Sequence, residues 1–405
     1  MRKFLSISLY YFIMVFFKKT YLRRWFKEYF SDSDEKPNIP LHVKLDFYSG
    51  FDVIEDSIEN IREYYHFQNP LILIGPNVDK VKYKKRNLGN YLKKTLEEIC
   101  DGNVNKSFFK EPQVSYKGIK ELKDNLKEKE IEYDTIISVG GGKIIDAGKC
   151  LSNKKCNVFT IPTIISNDAF NSPFASVFVD GEKQTISVEG PKSSICEYQI
   201  IMDSPDLNAG FGDAIAKYSS SYDWRLAGEK DYVKYKYRES FRKVLSELSE
   251  MLIYSVDSLP KKNGKVEINK QFVDLLIFNL TYSGTCMYAA ESTIPASGSE
   301  HKFSHAIDEL GYGKSHGLQC GMGTILTSYL QGRNWKDVKN SMELMDGYIN
   351  FEDLNLGKKE AFEVIEKMFE IKPERYTILN KLQEDKGKLR AIRYAKSAAK
   401  KIGIL

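Results

Sequence analysis

The expected secondary structure of this 405-residue chain changes character once, near residue 205. Before that point, short β-rich runs alternate with amphipathic helical periods, and the clearest runs are LILIG (71–75), TIISVGGG (135–142) and NVFTIP (157–162). Strands that alternate with helices pair in parallel and build an α/β sheet. From about Gly212 onward, the long segments have apolar residues at three- and four-residue spacing, which predicts helices only. The pattern therefore predicts an α/β domain followed by an all-helical domain.

Two further signals divide the chain into parts. The segment SVFVDGEKQTISV (176–188) has two β-rich runs around Asp180 and Gly181, which predicts a hairpin at the end of the α/β part. The polar run SDSDEKPNIP (31–40) is typical of a linker. We therefore expect an N-terminal extension with its linker over residues 1–40, an α/β domain over 41–205 and a helical domain over 206–405.

The positive charge of the chain is concentrated at its N-terminus. The net charge is +5, and residues 1–30 alone have seven Lys or Arg against one Glu, so the remainder is close to neutral. This distribution argues against a nucleic-acid partner for the body of the protein. Residues 4–17 (FLSISLYYFIMVFF) are mostly apolar but fall short of the roughly 20 residues that span a bilayer. Three interpretations stay open for residues 1–30: peripheral contact with an anionic membrane, a helix that covers a subunit surface, or an extension outside the fold.

The six cysteines are dispersed along the chain, and no two form a CxxC pair. In a chain of this length, such spacing is typical of reduced thiols rather than of a disulfide framework. We therefore expect a cytoplasmic protein, with membrane association limited to the N-terminal extension.

Three of the five histidines fall within sixteen positions: His301, His305 and His316. Neutral imidazole is the commonest metal ligand in proteins. His301 and His305 are four residues apart and share one face of a helix, and Gly317 after His316 allows close approach of backbone to a ligand. Asp213 is expected to begin a helix, where Asp is usually an N-cap. Together with two histidines, however, Asp213 would form a suitable set for a divalent metal with an open position.

Two loops follow predicted strands of the α/β part. VGGGKIIDAGK (139–149) places three glycines between a strand and a helix, where backbone N–H groups can close on a diphosphate. Its spacing is neither GxGxxG nor GxxxxGK[ST], so a tight turn without a ligand remains an alternative. IPTIISNDAFNSPFAS (161–176) begins where a strand ends, at the edge where open α/β sheets bind ligands. In this loop Asp168 either hydrogen-bonds a substrate hydroxyl or caps a turn.

These motifs, in this order, resemble those of the sn-glycerol-1-phosphate dehydrogenase family. That family belongs to the superfamily of dehydroquinate synthases, glycerol dehydrogenases and iron-containing alcohol dehydrogenases. The resemblance extends over roughly residues 50–330 and rests on five elements: GGGKxxD (140–146), PTxxSxD with SPFAS (162–176), GDxxAK (212–217), PASGSEHxFSHAxD (295–308) and HGxQxGxGT (316–324). The last two elements together are the most specific.

The resemblance implies a two-domain enzyme with a dehydroquinate synthase-like fold and a site in the interdomain cleft. The Rossmann-like N-terminal domain would bind NAD or NADP, and the helical C-terminal domain would bind one divalent metal, usually Zn²⁺. The cofactor-binding residues would be Gly140, Gly141, Gly142, Lys143, Asp146, Thr163 and Ser166. The metal ligands would be Asp213, His301 and His316, although the choice between His301 and His305 stays open.

The remaining roles also follow from the resemblance. His305 would relay a proton, Asp168 and Lys217 would hold the substrate, and Lys217 or Lys302 would meet its phosphate as a point charge. The reaction would interconvert sn-glycerol 1-phosphate and dihydroxyacetone phosphate by hydride transfer at C2, with the carbonyl polarised by the metal. The partners would be a phosphorylated polyol or ketose and further copies of the chain in a homo-oligomer.

The alternative is a non-redox, dehydroquinate synthase-like cyclase that acts on a sugar phosphate. Its acidic metal ligand is typically Glu, so Asp213 favours the dehydrogenase. One departure from the family pattern lies in the PTxxSxD loop, where Asn167 stands in the usual place of a His. Because loop changes near a substrate alter specificity more readily than reaction class, this departure leaves the exact polyol phosphate open.

Overall fold

The structure is a computed structural model that describes residues 46–152, 156–262 and 265–405. The N-terminal extension, with its expected membrane contact and linker, lies outside these residues. The described chain forms two compact units that divide between Leu207 and Asn208. Within the described ranges, no helix combines the length and apolar character needed to cross a bilayer.

The first unit is built on a parallel sheet. Its strands are β1 (Asp46–Gly50), β2 (Pro70–Ile74), β3 (Lys82–Tyr83), β4 (Arg86–Asn87), β5 (Asn105–Phe108), β6 (Thr135–Gly140), β7 (Asn157–Pro162), β8 (Phe174–Val179), β9 (Glu182–Ser187) and β10 (Ser193–Glu197). Six of them pair in parallel in the order β1-β10-β7-β6-β2-β5. The parallel α/β sheet that the alternating pattern predicts is therefore confirmed.

Helices cover both faces of this sheet. They are α1 (Ile54–Tyr65), α2 (Leu88–Ile99), α3 (Tyr116–Glu128), α4 (Gly142–Ser152) and α5 (Tyr198–Met202). Alternate residues of β2 enter two separate apolar clusters, with Ile72 and Ile74 in one and Leu71 and Leu73 in the other. This alternation follows from the two-residue period of a strand, and it explains why the strand is apolar throughout.

The predicted hairpin is formed by β8 and β9, which pair antiparallel from Phe174 opposite Ser187 to Val179 opposite Glu182. Asp180 and Gly181 both have positive φ, 52° and 86°. Two left-handed residues in a two-residue loop match the right-handed twist of the paired strands. The hairpin prediction is confirmed.

Over its described residues, the second unit is helical except for one short antiparallel pair. Its elements are α6 (Leu207–Lys230), α7 (Glu239–Ser258), β11 (Lys261–Lys262), β12 (Lys265–Val266), α8 (Lys270–Ala290), α9 (Ser299–Glu309), α10 (His316–Leu330), α11 (Trp335–Leu344), α12 (Lys358–Lys367), α13 (Ile378–Lys386) and α14 (Lys388–Lys401). The all-helical prediction misses the β11–β12 pair because two-residue strands are too short to show a period-2 pattern.

Candidate functional site

Asp213 lies inside α6, since the helix begins at Leu207. The expectation that Asp213 begins a helix as its N-cap is therefore wrong: buried Leu207 and Phe211 extend the helix toward the N-terminus. The Asp213 carboxylate is buried, and its Oδ2 accepts a hydrogen bond of 2.7 Å from the Lys217 ammonium one turn later. A buried carboxylate needs such a partner, because burial without one is costly.

Two histidines from α9 and α10 approach this carboxylate. His301 is buried, and its Nε2 lies 3.5 Å from Asp213 Oδ1. His316 is the first residue of α10, its ring centroid is 5.2 Å from that of His301, and its Nδ1 is 3.1 Å from Ser304 Oγ. A group of four residues offers one ligand atom each, and these atoms all lie within 4.8 Å of one another: Asp213, His301, His316 and Cys320. Gly317 is the second residue of α10.

These donors fit a divalent metal. Zn–N and Zn–O bonds of about 2.0–2.1 Å set a tetrahedral N···O edge of about 3.4 Å. The observed 3.5 Å between His301 Nε2 and Asp213 Oδ1 is close to that edge. Burial alone would raise the pKa of Asp213, but the Lys217 ammonium and His301 outweigh it and hold that pKa below its usual range. Asp213 is therefore ionised, as a metal ligand must be.

His305 lies outside this group of four. Its ring centroid is 6.4 Å from that of His301 and 6.0 Å from that of His316. Its Nε2 is 3.4 Å from the Nζ of Lys372, a residue that sequence analysis did not identify. The two histidines of α9 therefore differ in position. His301 faces Asp213, whereas His305 lies beside the group of four potential ligands. The relay role of His305 stays a prediction.

Glu300 is a second residue that sequence analysis missed. It is fully buried, and its Oε1 accepts hydrogen bonds from Gly298 N at 2.7 Å and from His301 Nδ1 at 2.8 Å. A proton on His301 Nδ1 leaves the Nε2 lone pair directed toward Asp213, which is the tautomer that a metal requires. The acid immediately before His301 was the available sequence signal.

Two lysines expected to meet substrate are both engaged with protein groups. Lys217 is paired with Asp213, as described above. Lys302 is buried and donates to the carbonyl of Arg375 at 2.8 Å and to Asn380 Oδ1 at 3.2 Å. Burial lowers the pKa of Lys302 to about 8. Each would need to leave these contacts or share them in order to bind a phosphate, and both roles stay predictions.

In the first unit, the glycine turn and the PTxxSxD loop lie side by side. Gly140 ends β6 with φ of 153°, and a Cβ there would lie 2.8 Å from Ile144 Cγ1, so only glycine fits. Gly140 O accepts a hydrogen bond of 3.2 Å from Thr163 N. A Cβ on Gly142, the first residue of α4, would lie 3.3 Å from Asn167 Oδ1. The turn therefore presents bare backbone at the N-terminus of α4, where an anion binds favourably.

Two side chains of α4 hold the PTxxSxD loop (162–176) in position through hydrogen bonds. The buried Lys149 ammonium donates to the carbonyls of Ala169 at 3.0 Å and Phe174 at 2.6 Å, and pairs with Asp146 Oδ1 at 2.7 Å. The other oxygen of Asp146 accepts from Ser176 N at 2.9 Å. Asp146, expected to bind cofactor, thus contacts the loop directly, and Lys149 is a loop-holding residue that sequence analysis did not single out.

The other residues predicted to bind cofactor or substrate in the first unit lie around the glycine turn (140–142). Asn167 caps a 3-10 turn, Asp168–Asn171, by accepting from Ala169 N at 3.0 Å. Asp168 is thus the first residue of that turn and is partly exposed, as is Ser166. Lys143 Nζ donates to the carbonyl of Glu111 at 2.9 Å. The structure places the glycine turn and these loop residues together, whereas their binding roles stay predictions.

Comparison with known proteins identifies relatives of this chain. The family model for iron-containing alcohol dehydrogenase matches residues 66–205. The chain is 31% identical over 352 residues to a glycerol-1-phosphate dehydrogenase (NAD(P)+) of Methanobrevibacter smithii, over 85% of this chain and 95% of that protein. It is 33% identical to one of Thermococcus sibiricus, over 78% and 85% of the two chains.

Solved structures show the same fold. Glycerol dehydrogenase from Schizosaccharomyces pombe superposes with a TM-score of 0.62 at 16% identity, over 88% of this chain and 90% of that one. A probable glycerol dehydrogenase from Sinorhizobium meliloti gives a TM-score of 0.63 at 15% identity, over 88% and 98%. The chain is 31% identical to the Methanobrevibacter smithii enzyme over most of both chains, and the iron-containing alcohol dehydrogenase model matches its first unit, so it belongs to the glycerol-1-phosphate dehydrogenase family within the iron-containing alcohol dehydrogenase superfamily.

Proposed function

We propose that the chain is a metal-dependent, NAD(P)-linked dehydrogenase that interconverts sn-glycerol 1-phosphate and dihydroxyacetone phosphate. The observation that carries this proposal is the convergence of Asp213, His301 and His316 from three helices in a chain whose relatives are named for this activity. The same relatives favour hydride transfer over the cyclase alternative, and Asp rather than Glu at position 213 agrees with that preference.

Three side chains would hold the metal, through Asp213 Oδ1, His301 Nε2 and a ring nitrogen of His316. When bound, a divalent metal supplies a Lewis acid that polarises the C2 carbonyl and stabilises the charge that develops on its oxygen. The chain's own contribution is orientation, because Glu300 fixes the His301 ring and Lys217 fixes the Asp213 carboxylate. His305 is partly exposed beside these groups and would hold the proton that the C2 oxygen gains or loses.

On the nucleotide side, the α4 N-terminus and the turn of Gly140, Gly141 and Gly142 would receive the cofactor diphosphate. Lys143, Thr163 and Ser166 flank this turn and are the expected polar contacts. The relatives are named for NAD(P)+, so either nicotinamide cofactor is a candidate here. Asp168 is the expected contact for a substrate hydroxyl, and Lys217 or Lys302 for the phosphate.

The test is reduction of NAD⁺ and NADP⁺ by sn-glycerol 1-phosphate with metal-replete protein, followed by the absorbance of the reduced nicotinamide. We expect turnover with this substrate and little with its enantiomer, sn-glycerol 3-phosphate, or with glycerol. A protein that reduces neither cofactor with any of several polyol phosphates would contradict the proposal. Consumption of a sugar phosphate without net cofactor reduction would instead support the cyclase.

Glu300→Ala is expected to weaken metal binding about 10–100-fold, because the partner that orients His301 is lost. Competition between the purified protein and a chromogenic chelator measures this affinity. Glu300→Gln is the matched control, since its amide oxygen can still accept from His301 Nδ1, and it should lose less. A folded Glu300→Ala protein with wild-type affinity would show that Glu300 does not act through His301.

We also expect a homo-oligomer, and for residues 1–30 peripheral membrane contact is one of three open interpretations, beside a helix that covers a subunit surface and an extension outside the fold. Light scattering of the purified protein measures the oligomeric state. Co-sedimentation with anionic liposomes, for the full chain and for a chain that lacks residues 1–30, tests the membrane contact. Equal pelleting of the two chains would exclude the extension as a membrane contact.

A further inference from the structure

A thiol lies among the expected metal ligands. Cys320 follows His316 by four residues on α10, so the two side chains share one face of the helix. Its Sγ is 3.6 Å from His316 Nε2 and lies in the same group of ligand atoms as Asp213 and His301. The side chain is fully buried.

The distance fits coordination. Zinc bonds of about 2.0–2.1 Å to nitrogen and about 2.3 Å to sulfur set a tetrahedral N···S edge of about 3.6 Å. The separation between Cys320 Sγ and His316 Nε2 is the same, 3.6 Å. The N···O edge from His301 to Asp213 also fits, as described above, so two independent edges of one tetrahedron are in place.

The alternative is that Cys320 packs as a small apolar residue, as most buried cysteines do. Cys286 on α8 illustrates that case in the same unit: it is also fully buried, and its polar neighbours are the backbone carbonyl of Phe241, at 3.9 Å, and the side chain of Tyr282. Cys320 instead has imidazole nitrogen and a carboxylate around its sulfur. Thiolate, imidazole and carboxylate together form a donor set typical of zinc.

We propose that the Cys320 thiolate is a fourth protein ligand of the metal in the substrate-free protein, together with Asp213, His301 and His316. This inference rests on the metal site of the proposed function. Four protein donors close a tetrahedral site, whereas three leave a position open. Substrate must therefore displace the thiolate or raise the coordination number. A soft sulfur donor also favours Zn²⁺ or Co²⁺ over Mg²⁺ and Mn²⁺.

Cobalt substitution tests this inference by absorption spectroscopy, with metal content measured in parallel. Wild-type protein loaded with Co²⁺ is expected to show visible ligand-field bands together with an intense thiolate-to-cobalt charge-transfer band in the near ultraviolet. Cys320→Ser should lose the charge-transfer band and keep bound cobalt through the other three ligands. Cys286→Ser is the matched control and should retain both features.

The outcomes separate the two proposals. Bound cobalt without the charge-transfer band, or a band that persists in Cys320→Ser, overturns the thiolate ligand and leaves the dehydrogenase proposal in place. A wild-type protein that binds no divalent metal overturns both. If Cys320→Ser fails to fold, zinc-edge X-ray absorption of the wild-type protein decides: a sulfur scatterer at about 2.3 Å supports the inference, and nitrogen and oxygen scatterers alone overturn it.

Discussion

His316→Ala is expected to abolish tight metal binding and dehydrogenase activity together. The variant removes one of two imidazoles from a group whose ligand atoms lie within 4.8 Å of one another. Loss of electrostatic stabilisation at the reacting oxygen costs at least about 10²–10³-fold in rate, and loss of the metal itself should cost more. Metal content by atomic emission and turnover of sn-glycerol 1-phosphate measure the two effects on the same sample.

His305→Ala provides the contrast for this experiment. Its ring lies outside the group, with a centroid 6.0 Å from that of His316. We therefore expect His305→Ala to keep its metal and to lose rate only, as general acid–base residues contribute about 10²–10⁴-fold. Full metal content in His316→Ala, or loss of metal in His305→Ala, would contradict the ligand assignment.

Gly212→Ala is expected to destabilise the helical unit and to weaken metal binding at the same time. A methyl group on Gly212 would overlap the carbonyl oxygen of Gly317 and lie 2.9 Å from its carbonyl carbon. Because the overlap is with backbone, α6 and α10 must separate to relieve it. Those helices hold Asp213 and His316, each next to one of the two glycines. Overpacking of this kind costs about 1–3 kcal/mol, and we expect the upper part of that range.

Urea unfolding with and without a chelator measures both consequences of Gly212→Ala. Gly357→Ala is the control in the same unit, since its added methyl would meet only the end of the Glu360 side chain. That control should change the free energy of unfolding by less than about 1 kcal/mol. Unchanged stability and metal affinity in Gly212→Ala would show that the two helices are not held in contact at this point.

Much of the fold was predictable because its signals are local. The run LILIG predicted β2, and the glycines after TIISVG predicted the turn into α4, as the structure has them. The start of α6 was placed too late, since the glycines at 210 and 212 obscure the helical pattern. Gly212 is needed for close packing against Gly317 rather than for a helix end, and helix propensity alone penalises it.

The candidate site was predictable in part. The order of motifs indicated Asp213, His301 and His316, which the structure brings together. Glu300 and Cys320 were missed because an acid beside a histidine, or a cysteine one turn after one, is unremarkable in sequence. Their significance depends on which way each helix face points, and that is set by packing.

The sequence alone determined the class of the fold and the inventory of chemical groups, because strand and helix periods and glycine turns act over a few residues. It could not choose between His301 and His305, since both lie on one helix face. Only the tertiary structure brings His301 rather than His305 to Asp213. Gly212 of α6 packs against the backbone of Gly317 on α10, and Gly323 of α10 packs against the backbone of Glu300 on α9, so Asp213, His301 and His316 converge. The physical reason is that helix rotation and approach are fixed by contacts between residues about a hundred positions apart, which no local pattern encodes.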